Sequence, residues 1–263
     1  MDKHIHAESV FQDSSQSIVT ENSIYDFNRL SVHEIDVIIT VLRNAHSDKY
    51  HSSLRGIGLM NEASSITYKP RYILLEAVVL LFENSRNPYD ALAVAEAYRN
   101  KGAAYRVPAI ENYERYLEKT NIFKKKLIRE QFVIFSDIFL YNNLSTLYEA
   151  EHNLWRALKY AEMAEALNAD LLPYYPIHIA KILLKIDPNK AVSYLTDIMN
   201  SPRYSGSKAI IQKTVTELEQ KAASGYRYKP RNKKSISDSI DADIRKATLE
   251  FLPGGKYYPL WEK

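Results

Sequence analysis

The chain has 263 residues, and its 46% apolar and 25% charged content is ordinary for a globular protein, which excludes wholesale disorder. It contains no cysteine, which excludes disulfides, thiolate metal sites and a cysteine nucleophile, and its 7 glycines are too few for the many tight turns of a sandwich or barrel. A net charge of +3 does not indicate nucleic-acid binding by itself, and no apolar run approaches the roughly 18 residues that a membrane span needs.

Residues 1–22 are polar and without periodicity, which predicts a flexible arm. They lack the basic start and apolar stretch of a secretory signal. The chain also has no cysteine, which is typical of proteins in a reducing compartment. We therefore expect a soluble and cytoplasmic protein. A helical region is predicted for 23–69. Ser31 and Glu34 form a capping-box pattern that begins its first helix, and a second helix is expected from about Tyr50 to Ala63.

Residues 70–224 carry a repeated pattern of helix starts. Short polar side chains that can cap a helix N-terminus recur 34, 32 and 34 residues apart: Asn87, Asn121, Asn153 and Asp187. Proline follows the first and last of them, which suits the first position of a helix. A small residue stands four positions after three of the caps: Ala91, Ala157 and Ala191. The pattern predicts helical hairpins, at least about 60% helix, and turns near 86–88, 120–121, 151–153 and 187–188.

This spacing, with a small residue where two antiparallel helices cross, resembles the tetratricopeptide repeat over about residues 70–200. One hairpin of this length cannot bury both of its helix faces, so stacked neighbours complete the core. The resemblance implies an all-α fold, a right-handed α-solenoid that a helix at Lys208–Ala222 closes as a cap. The glycine that the family carries eight residues before each cap is replaced here: Val79, Tyr113, Ser145 and Ile179.

In tetratricopeptide proteins the first helix of each repeat lines a groove that holds a peptide or a partner protein. Mapped from the caps, the groove positions include the following: Glu76, Leu80, Glu83, Ile110, Glu114, Phe139, Asn142, Thr146 and Glu149. The charged members are all glutamates, which predicts a mildly acidic and partly apolar groove. Asn142 is the one match to the lysine, arginine and asparagine set with which some repeats hold a partner's C-terminal carboxylate.

The segment 225–263 is predicted to form a basic linker, a helix from about Ser237 to Phe251 and an aromatic tail. The linker carries five cations with no acid between them: Arg227, Lys229, Arg231, Lys233 and Lys234. The helix has an apolar face too narrow to be stable alone, and clustered aromatics follow it. We therefore expect the tail to pack on this chain's own array or on that of a second copy.

Two functions of different classes follow from these patterns. The first is a scaffold or regulator that binds a peptide or partner protein in the groove. The second is a nucleic-acid-associated protein, because the basic linker interleaves cations with Tyr226 and Tyr228, a chemistry that suits single strands. No spacing of histidines, carboxylates or serines builds a catalytic or metal site, so we expect neither an enzyme nor a cofactor.

Overall fold

The computed structural model describes residues 26–27, 29–47, 52–127, 137–230 and 238–262. Within these ranges helix makes up 79% of the chain and there is no strand, which confirms the predicted all-α class and its high helix content. The α-helices of the described ranges are α1 Val32–His46, α2 Arg55–Ser64, α3 Tyr68–Phe82, α4 Pro88–Lys101, α5 Arg106–Leu127, α6 Asp137–Ala150, α7 Leu154–Ala166, α8 Tyr174–Ile186, α9 Pro188–Asn200, α10 Lys208–Ala223 and α11 Asp238–Leu249. In that part of the chain, none of them is long and apolar enough to cross a membrane.

The chain divides into two compact units. Unit 1 comprises Met1–Glu83 and Ile236–Lys263, and unit 2 comprises Asn84–Ser235. The sequence predicts four segments instead, with boundaries after residues 22, 69 and 224. The difference arises because the last helix and tail belong to the same unit as the N-terminal helices, a grouping that chain order does not reveal.

In unit 1, helices α1, α2 and α3 pack against one another, and α11 packs against α3. The capping box is present: the Glu34 amide donates to the Ser31 hydroxyl, and the Ser31 amide donates to the Glu34 carboxylate at 2.7 Å. In α2, Gly56 and Gly58 are both buried. The capping box accounts for how the first of these helices begins.

The C-terminal segment of unit 1 is anchored at two places. In α11, the Thr248 hydroxyl donates to the carbonyls of Ile244, at 2.8 Å, and of Ile73 in α3, at 3.4 Å. Beyond α11, the Trp261 indole is 4% exposed, donates to the Phe251 carbonyl at 2.7 Å and lies 4.7 Å from the His46 ring of α1. The tail therefore lies on helices of its own chain.

Unit 2 consists of antiparallel pairs of sequence-adjacent helices, α4 with α5, α6 with α7 and α8 with α9, and α10 packs on α9. Three predicted caps are confirmed, because the side chains of Asn87, Asn153 and Asp187 each accept a hydrogen bond from a backbone amide of the helix that they begin. The predicted turns near 86–88, 151–153 and 187–188 are therefore correct.

The fourth predicted cap, Asn121, is wrong, because α5 continues through it to Leu127. No glycine or proline interrupts the chain there, and nearby Thr120 is buried with its hydroxyl bonded to the Tyr116 carbonyl of the same helix at 2.9 Å. The break occurs earlier, at Gly102, whose φ of 112° suits glycine. The helix paired with α4 is thus α5, and the first two predicted hairpins are out of register.

The small residues after the caps lie where helices cross. Ala157 and Ala191 are both fully buried. The Ser145 hydroxyl of α6 donates to the Ala157 carbonyl of α7 at 2.9 Å, so the two helices approach closely at this point.

Ala157→Phe should destabilise unit 2 by about 1–3 kcal/mol or more, because the added ring has no space between α6 and α7. The matched control is Ala166→Phe, the same substitution at an exposed position of the same helix. Thermal melts followed by circular dichroism compare the two variants with the wild type. Equal melting temperatures for both variants would contradict the close approach at Ala157.

Candidate functional site

The nine residues predicted to line one groove belong to both units. Glu76, Leu80 and Glu83 lie in unit 1, and the remaining six lie in unit 2. In unit 2, α5 is the second helix of its pair, so Ile110 and Glu114 do not occupy the first-helix positions that the prediction gave them. Only the four residues of α6 lie, as predicted, on the first helix of a pair: Phe139, Asn142, Thr146 and Glu149.

Glu76 does not face an open groove. It is 3% exposed, and the Arg245 guanidinium of α11 lies 3.8 Å from its carboxylate. Leu80 and Glu83, farther along α3, are half-buried. The predicted acidic surface is wrong at Glu76 because α11 packs on α3, and sequence periodicity could not show which element covers this face.

The Glu114 carboxylate of α5 is bound by side chains of α6 and α7. Its carboxylate accepts hydrogen bonds from the hydroxyls of Tyr148, at 2.5 Å, and Tyr160, at 3.2 Å, and the Arg156 guanidinium lies 3.6 Å away. The two tyrosine rings are stacked 5.7 Å apart. Burial, followed by the charge of Glu114, raises the pKa of Tyr160, which keeps its hydroxyl a donor. Glu114 therefore joins three helices, and Ile110 beside it is buried.

Two contacts hold α6 against α8. The Lys185 ammonium donates to the Glu149 carboxylate at 2.6 Å, and the Ser145 hydroxyl is 2.9 Å from Nε2 of His178. The contacts follow the same order along both helices.

Ser145 and His178 are not a nucleophile and its base. Ser145 is fully buried, and its hydroxyl proton is donated to the Ala157 carbonyl, so Nε2 of His178 must supply the proton in their shared hydrogen bond. Burial lowers the pKa of His178; Glu149 opposes this effect, while Lys181 and Lys185 reinforce it. The imidazole is therefore neutral at pH 7 and acts as a structural donor.

The stability of unit 2 should fall on acidification through the titration of His178. Because the folded-state pKa lies below the ordinary value of 6.5, protonation favours the unfolded chain. The stabilisation is complete above pH 6.5 and is lost as the pH falls from there toward the folded-state pKa. Calorimetric melts between pH 7.5 and 5 should show a shallower loss for His178→Gln, which keeps an N–H donor. Identical slopes in the variant and the wild type would contradict this assignment.

An exposed face remains on α6, formed by residues that follow one another at single helical turns. Phe139 is 57% exposed, and Thr146 is also exposed. Between them, the amide oxygen of Asn142 is shielded from water and has no hydrogen-bond partner in the described part of the chain. Tyr174 of α8 is 51% exposed and stacks on His178, which contacts α6 through Ser145. We call Phe139, Asn142, Thr146 and Tyr174 the α6 face.

The α6 face has the exposed aromatic side chains that are typical of a contact surface. Phe139 and Tyr174 would each gain the free energy of burial if another molecule covered them. The Asn142 amide oxygen lies beneath this surface without a hydrogen bond, which costs about 1–3 kcal/mol. Sequence reasoning found Phe139, Asn142 and Thr146 from the spacing, but it missed Tyr174, whose position depends on how α8 packs against α6.

The basic linker begins as an extended segment on unit 2. Tyr226 packs on the core that includes Leu184 and Leu195, and the Tyr228 hydroxyl bonds to Nδ1 of His152, with the Lys185 ammonium 5.1 Å from its ring. The cations that alternate with the tyrosines, Arg227 and Lys229, are exposed. The alternation of tyrosine and cation is the sequence signal for this arrangement. The predicted Arg231, Lys233 and Lys234 lie outside the described residues.

Comparisons with known proteins yield no match: no family model, no curated protein and no solved structure resembles the chain significantly. In the described ranges, no cluster of three histidines or carboxylates could hold a metal ion. Function therefore has to be inferred from the geometry of the chain's own side chains.

Proposed function

We propose that this chain is a partner-binding protein and not an enzyme, and that unit 2 holds an extended segment of a partner protein on the α6 face. The observation that carries the proposal is the pair of large exposed aromatic side chains on two contacting helices, Phe139 of α6 and Tyr174 of α8. Both groups gain free energy when a peptide covers them, which a solvated helix surface would not.

The contacts of unit 2 support a repeat array of the tetratricopeptide kind. Side-chain hydrogen bonds between successive pairs recur at sequence separations of 33, 36 and 36 residues: Ser145–His178, Glu149–Lys185 and Asn168–Tyr204. In stacked repeats, equivalent positions of neighbouring units touch, so their separations are close to the repeat length. The two contacts between α6 and α8 follow the same order along both helices, which agrees with this arrangement.

The chemistry of the α6 face suits an extended peptide with an apolar side chain. An asparagine amide has both donor and acceptor groups, which match the N–H and C=O of a peptide backbone. Phe139 and Tyr174 supply apolar surface on two neighbouring helices for the peptide's side chain. Because Glu114 and Glu149 are already paired with Arg156 and Lys185, the partner needs no basic segment, and we expect weak salt dependence.

The alternative, binding of nucleic acid to the basic linker, is favoured by the exposure of Arg227 and Lys229. Stacking of bases on the linker would require its aromatic rings, but Tyr226 and Tyr228 are held against unit 2. The remaining cations would give a steep fall of affinity with salt, because binding phosphates releases counterions. Salt dependence therefore separates the two functions.

Site-specific photo-crosslinking in the native cell tests the proposal. A photoreactive residue at Thr146, on the α6 face, should capture a partner, whereas the same residue at exposed Gln220 of α10 should not. Capture at Thr146 should fall about tenfold, or 1.4 kcal/mol, with Phe139→Ser or Asn142→Ala. Leu167→Ser, at an exposed position of unit 2 outside the face, is the matched control. Equal capture at both positions, or capture that survives Phe139→Ser, would refute the α6 face. The mass of the product shows whether the partner is a second copy of this chain.

A further inference from the structure

A cavity of about 410 Å³ in unit 1 is built from three segments of the chain: the residues before α1, helix α11 and the turn after α11. Its volume lies in the range of small-molecule sites, about 300–1,000 Å³. Three aromatic residues contribute to its lining, Phe27, Phe251 and Tyr257. Phe27 and Phe251 are 2% and 0% exposed, and the Tyr257 ring stacks on Phe251 at 4.8 Å. Of these three rings only that of Tyr257 is partly exposed to the cavity, and the buried Phe251 ring beneath it holds it in place.

The same cavity has an excess of positive charge. Each of the three segments contributes one exposed cation to its lining, Arg29, Lys246 and Lys256, against a single carboxylate, Glu250. Among the described residues, none of these three cations forms an ion pair with a carboxylate. Cations that surround one cavity without matching counter-charge repel each other, and a bound anion would relieve that repulsion.

Two other cavities of the described part of the chain lack this charge pattern. A cavity of about 600 Å³ in unit 1 includes Ser31, His33 and Glu34 in its lining and has no lysine or arginine there. A cavity of about 500 Å³ in unit 2, which includes Trp155 and Ile186, also has none. Of these three cavities in the described part of the chain, only the one between Phe27 and Tyr257 has cations in its lining.

The C-terminal end of α11 does not repel an anion at this site. The carbonyl groups at a helix C-terminus carry partial negative charge and would repel an anion if they were free. Here the carbonyls of residues 247–252 each accept a hydrogen bond, for example that of Glu250 from the Tyr257 amide at 2.7 Å. Lys246 in the last turn of α11 offsets the remaining dipole.

We propose that this cavity binds a small phosphate monoester that carries an aromatic ring. Arg29, Lys246 and Lys256 bind the phosphate, because a dianion matches the local excess of charge, and the ligand ring stacks on Tyr257, the partly exposed aromatic side chain of the lining. The site is separate from the α6 face and does not depend on partner binding there.

Isothermal titration calorimetry on the full chain with four probes tests the two halves of the site, the cations that bind the phosphate and the aromatic side chain that binds the ring. Phenyl phosphate should bind most tightly, because inorganic phosphate lacks the ring, phenol lacks the charge and benzoate carries one charge in place of two. In ¹⁵N-resolved NMR, phenyl phosphate should shift the amides of residues 246–257 and leave those of α10 unchanged. Equal affinity for phenyl phosphate and inorganic phosphate would overturn the aromatic half, and no heat at millimolar phenyl phosphate would overturn the site.

Charge-reversal variants provide the second arm of the test. Lys246→Glu and Lys256→Glu should each weaken phenyl phosphate binding at least about tenfold, which is the loss expected for one charge-assisted hydrogen bond. Both residues are exposed, so the variants should fold, and the circular dichroism melt checks this. The matched control is Lys213→Glu on α10, with the same change in net charge. An equal loss of affinity in this control would show a non-specific effect of net charge and would overturn the assignment.

Discussion

Trp261→Ala should lower the free energy of unfolding of unit 1 by about 3–5 kcal/mol, the usual cost of removing a large buried aromatic side chain. The indole is 4% exposed, and its N–H donates to the Phe251 carbonyl at the end of α11. Its ring also contacts His46 of α1 and meets the Tyr258 ring edge to face at 5.0 Å. The substitution therefore leaves a cavity and loosens the attachment of α11 to α3. Urea unfolding measures the loss, and faster hydrogen exchange from Ile244 to Phe251 should accompany it.

The two tryptophans of the chain provide a matched control. Trp155 is 69% exposed in unit 2, so Trp155→Ala should change stability by less than about 0.5 kcal/mol. In a Trp155→Phe background, fluorescence reports Trp261 alone and follows the unfolding of unit 1 directly. A Trp261→Ala variant as stable as Trp155→Ala would show that the tail does not contribute to unit 1.

Glu96→Ala should destabilise unit 2 by about 3 kcal/mol, because it breaks a buried polar network between three helices. Glu96 of α4 accepts hydrogen bonds from the Tyr113 hydroxyl of α5 and from the Asn143 amide of α6 at 3.0 Å, and it pairs with Arg99. Tyr113 is fully buried, and burial, together with the Glu96 carboxylate, raises its pKa far above the usual range. Its hydroxyl remains protonated and would be left without this acceptor.

Glu96→Gln separates the hydrogen bonds from Tyr113 and Asn143 from the pairing with Arg99. The glutamine oxygen can still accept from Tyr113 and Asn143, so the variant should lose less stability than Glu96→Ala, and what it loses reports the ion pair and hydrogen bonds with Arg99, which an NH₂ group cannot accept. That part should be small, since the Arg99 side chain is 41% exposed. Chemical denaturation of unit 2 compares the two variants, and equal losses would contradict the role of the hydrogen bonds.

The sequence by itself determined the helix starts and the all-α class. Caps at Asn87, Asn153 and Asp187 depend on side chains that reach backbone amides two or three residues away, so local sequence contains all the information they require. The same holds for the capping box at Ser31. Phe139, Asn142 and Thr146 could be placed on one exposed face because helical periodicity fixes which residues share a side.

Only the tertiary structure decided what covers each helix face and which charges are paired. Asn121 has the residue type of a cap, but burial of Thr120 and the absence of a helix breaker carry α5 through it. Glu76 and Glu149 follow the same helical spacing, yet one is covered by α11 and the other is paired with Lys185 of α8. These contacts join residues 36 or more positions apart. Their energies depend on distance and burial in the folded chain, and a pattern of residue types along the sequence does not specify either quantity.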